Sequence, residues 1–122
     1  MTVSESTYSI RQVAEATGMS APTLRWYEEI GVLPPVRRSH SGQRLFSERD
    51  VEWLSCVAQL RVTGMSVADM VRFAELIHRG EETVAERRAI LERTRRDVRA
   101  RIAELEGALT ALDTKIDAYA GD

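Results

Sequence analysis

The chain of 122 residues holds one cysteine, Cys56, and two histidines, His40 and His78. A single thiol excludes an internal disulfide and any multi-cysteine zinc site. Aromatic residues make up only 6%. No apolar run approaches the roughly 20 residues that span a bilayer, and Met1–Thr7 is polar, without the apolar segment of a signal peptide. A cytoplasmic protein without membrane contact is the expectation. A basic surplus is also missing, since 17 Lys and Arg face 19 Asp and Glu for a formal net charge of −2. Any binding to nucleic acid must therefore rest on local clustering. Catalytic signals are absent too: there is no nucleophile–base pair, no glycine-rich phosphate loop and no carboxylate pair set for a cleft. An enzyme is not expected, nor a metal or other cofactor.

One absence is local. Between Ile30 and Ser47 there is no acidic residue, and Arg37, Arg38 and Arg44 fall in that gap. Around it lies a recognisable order of signals. Ser9 with Gln12 three residues later reads as a capping box opening a helix whose buried stripe is Ile10, Val13, Ala14 and Thr17. Gly18 ends it, because a left-handed position is cheapest for glycine. Ser20 caps a second helix with Pro22 in its first turn. Leu24 with Tyr27 or Trp26 packs inward, and Ala21, Thr23 and Arg25 face out. Pro34-Pro35 forbids helix, and Val36–Arg38 and Gln43–Phe46 read as two short strands around Ser39-His40-Ser41-Gly42. Two short helices at a tight turn, followed by a basic wing, form a pattern suited to reading DNA.

Further helices follow. Ser47 with Asp50 caps a third, running to about Val62, and Ser66 with Asp69 caps a fourth that ends at Gly80. Thr83 with Glu86 is expected to cap the last, which continues to about Tyr119. Val84, Leu91, Val98, Leu105, Leu112 and Tyr119 recur in it every seven residues. Ile102, Leu109 and Ile116 fill the intervening positions, giving from Val98 onward the alternating steps of a coiled-coil seam. Arg88 and Arg95 spoil the seam in the first half. A lone helix of this length, spanning about 50 Å, cannot bury such a stripe on so small a domain. A second copy is required, with the helices antiparallel and the heads held apart. The division expected is a head over residues 1–80, all-α dominated with a small β-wing, and a dimerisation helix over residues 81–122. The seam residues proposed for it are Val98, Ile102, Leu105, Leu109, Leu112, Ile116 and Tyr119.

These residues resemble the MerR family of bacterial transcription regulators. The resemblance runs through Ser9-Ile10, Thr23-Leu24-Arg25-Trp26-Tyr27-Glu28, Gly31-Val32-Leu33, Pro35, Arg37, Gly42, Arg44, Phe46, Asp50-Val51 and Leu60-Arg61. It implies a winged helix-turn-helix head, an antiparallel coiled-coil homodimer and a pseudo-palindromic operator between promoter elements. It further implies distortion of an overlong promoter spacer so that RNA polymerase holoenzyme, an indirect partner, engages both elements. The DNA-contact candidates are Ser20, Thr23, Arg25, Tyr27, Arg37, Arg38, Ser41, Gly42, Arg44, Phe46 and Arg61. Arg25 is the candidate for a base edge or adjacent phosphate, and the wing arginines for backbone phosphate. Tyr27 and Trp26 are equally assignable to the core. Phe46 stands where the family often has tyrosine, which leaves it a packing role.

Metal-sensing relatives carry cysteines around the start of the long helix, which this chain lacks, and the sequence stops just past the coil, where drug-sensing relatives have a further domain. The Asp50-Val51-Glu52-Trp53 start of the third helix resembles the branch that senses aldehydes or thiols through a lone cysteine. In that branch the cysteine falls at Gln59; Cys56 lies one turn earlier. Reactive sensing at Cys56 needs a thiol pKa lowered by Arg49 or Arg61; the competing reading is a small buried apolar residue. Met70, Phe73, Ile77 and Leu91 are candidates for a pocket between the fourth helix and the coil, or for plain packing. The effector is unknown. The alternative function is a coiled-coil adaptor whose helix-turn-helix binds protein in place of DNA.

Overall fold

The computed structural model describes residues 6–121. Its order is β1 (Thr7–Tyr8), α1 (Ile10–Thr17), α2 (Ala21–Ile30), β2 (Arg37–Arg38), β3 (Arg44–Ser47), α3 (Glu48–Val62), α4 (Val67–Arg79), a 3-10 turn (Glu81–Thr83) and α5 (Val84–Ala120). The strands form one antiparallel sheet in the order β1-β3-β2. Residues 1–5 lie outside the described residues. The segment after them is held in the sheet: Thr7 pairs with Ser47 and Tyr8 with Phe46.

Local chemistry sets the helix ends. The Ser9 hydroxyl accepts from the Gln12 N–H while Gln12 Oε1 accepts from the Ser9 N–H at 2.8 Å. Ser47 and Asp50 make the same reciprocal pair at the start of α3. Gly18 closes α1 at φ 74°, a left-handed conformation in which a side chain would be strained. The expected cap on α5 is not formed. Thr83 makes no side-chain capping bond to α5; its hydroxyl turns back to within 2.6 Å of the Leu76 carbonyl and 2.7 Å of the Gly80 carbonyl. The hydroxyl donates to these helix-end carbonyls, while its oxygen accepts from Arg87 Nε at 3.1 Å in place of an α5 amide.

The core gathers the inward faces of α1 to α4 over the sheet. Leu24, Leu33, Leu54, Leu76, Val13, Val32, Val57 and Phe46 are essentially fully buried. Trp53 on α3 ties this core to its neighbours. Its indole N–H donates to the Val32 carbonyl at 2.8 Å, and its ring stacks on Phe73 of α4 with centroids 6.0 Å apart. Only the start of α5 is attached to this body, where Ile90 and Thr94 are buried, Arg72 pairs with Glu86 at 2.9 Å and Arg93 with Asp69 at 3.2 Å. Every residue from Arg99 to Ala120 is exposed. α5 has 37 residues, which at 1.5 Å each is about 55 Å.

Candidate nucleic-acid interface

Helices α1 and α2 meet across Gly18 and Met19, with Met19 buried beneath the turn. Ser20 accepts from the Thr23 N–H at 3.2 Å and donates its hydroxyl to Thr23 Oγ1 at 2.9 Å. Both candidate hydroxyls therefore shape the first turn of α2. Arg25 projects from this helix, exposed and with no ion pair among the described residues. Leu24 and Tyr27 share the opposite face, 0% and 3% exposed. Tyr27 is thus a core residue, placed off the face that carries Arg25, and Trp26 is the exposed aromatic of the pair at 45%. Phe46 is 0% exposed and packs under the sheet. Arg61 lies at the end of α3 and lines a shallow hollow with Thr17, Gly18 and Met19, beside the helix-turn-helix.

The wing is a short hairpin. Gly42, at φ 85°, makes the turn; its N–H donates to the Ser39 carbonyl at 2.9 Å, and the Ser39 and Ser41 hydroxyls lie 3.0 Å apart. Arg37 and Arg38 of β2 are exposed, and Ser41 stands at the tip. Arg44 differs: its side chain is 16% exposed, and its Nε donates to Glu28 Oε1 at 2.6 Å. Arg44, expected with Arg37 and Arg38 to hold DNA backbone, is thus engaged within the protein and less exposed than Arg38. Glu28 also accepts from the Val36 N–H at 2.7 Å and lies 3.8 Å from Arg38. Burial pushes the Glu28 pKa up, but the Val36 N–H and the Arg44 and Arg38 charges outweigh it and hold the carboxyl below the ordinary carboxylate range. Glu28 is the site residue that sequence reasoning passed over. The signal available was the acid-free stretch itself, whose clustered arginines need a counter-charge from just outside it.

Other candidates fall elsewhere. Cys56 is exposed, against the buried reading, and partial burial of its thiol raises the pKa with no cation lowering it. Activation by Arg49 or Arg61 is not present. Met70 and Phe73 are core, whereas Ile77 and Leu91 are exposed. Ile77 instead lines a hollow of about 470 Å³ with Pro34, Trp53, Ala74 and His78, away from α5. His40 is exposed on the wing, and no cluster of metal-ligating side chains is found among the described residues. No helix among them is long and apolar enough to cross a membrane.

The sequence matches the model of the MerR helix-turn-helix regulatory protein family over residues 8–75 and that of the MerR DNA-binding region over residues 51–115. An uncharacterised helix-turn-helix transcriptional regulator of Haemophilus influenzae is 42% identical over 113 residues, 93% of this chain and 84% of that one. The crystal structure of HiNmlR, described as a MerR family regulator lacking the sensor domain and bound to promoter DNA, is similar at TM-score 0.83 and 41% identity, covering 93% of this chain and 90% of that one. A MerR family regulator from Listeria monocytogenes gives TM-score 0.84 and 37% identity, covering 92% and 85%. With its turn, wing and long helix in the same order, the chain belongs to the MerR family of DNA-binding transcriptional regulators.

Proposed function

We propose that the protein binds a pseudo-palindromic promoter operator as a homodimer and alters the geometry of that DNA. The observation that carries this reading is the pairing of an outward, unneutralised Arg25 on α2 with an exposed basic wing on the same head. α2 enters the major groove, with Arg25 at a base edge or the adjacent phosphate. Arg37, Arg38 and the Ser41-Gly42 tip hold backbone on the flank, and Arg61 approaches phosphate next to the helix-turn-helix. These contacts position the head, and the base-edge contact supplies sequence information. Tyr27 and Phe46 act by packing, so they support the reading face without touching DNA. The HiNmlR complex with promoter DNA supports this assignment by likeness.

Dimerisation uses the stripe that α5 leaves uncovered. Ile102, Leu105, Leu109, Leu112, Ile116 and Tyr119 are 49% to 80% exposed and follow the seam spacing. Charge favours the antiparallel arrangement. Within the seam, residues 98–101 carry two arginines and no acid, while residues 102–120 carry four acids and one lysine. Antiparallel pairing sets Arg99 and Arg101 of one helix near the end of the other that carries Asp113 and Asp117; parallel pairing sets like against like. The division proposed is between the head, residues 1–80, and this helix, residues 81–122, whose start rests on the head through Ile90 and Thr94. RNA polymerase holoenzyme is engaged indirectly through the distorted promoter. The protein acts in the cytoplasm, without catalysis or cofactor.

Footprinting on the promoter of the protein's own gene and of neighbouring genes tests this reading. Two protected half-sites related by a dyad are expected. Protection of a single asymmetric patch, or none at low salt, overturns it.

A further inference from the structure

We propose that Glu28 is a positioning residue for DNA binding, one that fixes the wing against α2 by holding both of its strands, and that Arg44 serves as Glu28's strut and makes no phosphate contact. The inference rests on the DNA-binding reading given above. Glu28 lies in the last turn of α2, three residues beyond Arg25, and its side chain is only 11% exposed. Its two oxygens reach different strands. Oε2 accepts from the backbone N–H of Val36, at the entry to β2, at 2.7 Å. Oε1 accepts from Arg44 Nε on β3 at 2.6 Å. One carboxylate thus bonds to both sides of the hairpin from the helix that carries the base-reading arginine, with the short lengths of charge-assisted bonds.

The hairpin needs such a counter-charge. Arg38 and Arg44 are directly opposed across β2 and β3, and like charges so placed repel. No acidic residue occurs in the hairpin to separate them. Glu28 supplies the charge, but unequally. Arg44 is tightly bound and 16% exposed, whereas Arg38 stands 3.8 Å away, is 49% exposed, and donates at 3.1 Å to the Gly42 carbonyl at the wing turn. Arg38 can turn to a phosphate without breaking a close ion pair. Arg44 cannot leave without stranding a buried carboxylate. The wing's phosphate-facing charge is therefore carried by β2, while β3 supplies the anchor.

This assignment reverses the sign expected from charge alone. Neutralising an acid beside a DNA-binding face should tighten binding if the acid is a passive anion. A positioning carboxylate gives the opposite result. The test uses the full chain, its E28Q, R44Q, R38Q and E28Q/R44Q variants, and a mixed-sequence duplex titrated across salt. E28Q is expected to weaken binding roughly tenfold. R38Q should lower the slope of log K against log salt by about 0.9, the loss of one phosphate contact. The slope of E28Q/R44Q should equal that of E28Q. Amide spectra of the free protein separate a displaced wing from general unfolding. In E28Q the Val36 amide should move upfield and Gln43 should lose exchange protection, with Leu54 and Leu76 unchanged. Tighter or unchanged binding by E28Q, or a slope lower by about 0.9 when R44Q is added to E28Q, overturns the proposal. So does an unmoved Val36 amide. A native protein that ignores the duplex defeats the DNA-binding reading instead, and the amide spectra still decide whether Glu28 holds the wing.

Discussion

Leu109→Ala is the most informative change to the long helix. Leu109 sits in the middle of the Val98–Tyr119 stripe and is 58% exposed in a single chain. Alanine is the best helix former, so the substitution leaves α5 helical and removes only apolar surface. Burying a leucine side chain fully is worth about 1.5–3 kcal/mol, and somewhat more than half of Leu109 remains to be covered. The loss is about 1.5 kcal/mol per copy. A symmetric dimer suffers it twice, so association weakens by about 3 kcal/mol, or roughly a hundredfold in dimer dissociation constant. Sedimentation equilibrium over a dilution series measures that constant directly. Gly107→Ala is the internal control: its Cβ would meet nothing within 4 Å, and it should strengthen the helix by about 1 kcal/mol without loosening the dimer. An Leu109→Ala protein that associates as tightly as the native one would show that the stripe is not the seam.

Further consequences concern the head. Arg25→Ala should cost about 1–3 kcal/mol of operator binding and relax preference at one base position, read from competition with single-base operator variants. Ser47→Ala removes half of the capping box opening α3 and should lower stability by about 1 kcal/mol, seen as a reduced midpoint in chemical denaturation. The Glu28 pKa is depressed in the folded protein. Its contribution to stability is therefore complete above the unfolded carboxylate pKa and is lost as pH falls through the lower folded value. Acid unfolding of E28Q should accordingly be less pH-dependent over that window than acid unfolding of the native protein, and parallel acid titrations followed by circular dichroism would check it.

What could be read from sequence was whatever depends on near neighbours. Ser9 with Gln12, Ser47 with Asp50 and the left-handed Gly18 are three-residue or single-residue signals, and each helix end formed as expected. The stripe on α5 was legible because its period persists across many turns. Pairings between distant residues were not. β1 has two residues, too few for alternation to register, and its partner is Ser47 and Phe46, far along the chain. Glu28 meets Val36 and Arg44 eight and sixteen residues away, so the acid-free stretch called for a counter-charge but nothing in sequence chose Glu28 over Glu29. Tyr27 was ambiguous because aromatic neighbours on a short helix can share an inward face; Leu24 three residues earlier fixes the phase, and Tyr27 follows it. Thr83 carried the letters of a cap, but the nearby carbonyls of Leu76 and Gly80 hold its hydroxyl. Cys56 lies in α3 between buried Leu54 and Val57 yet points away from both, a matter of helical phase that hydrophobic neighbours in sequence obscure.

The direct measurement is the mass of the protein–DNA complex formed on a footprinted promoter fragment, taken by native mass spectrometry at low protein concentration. Two chains per duplex, with no appreciable complex of one chain, is the result expected of paired heads joined through α5. A stable complex of one chain on the same fragment would contradict it.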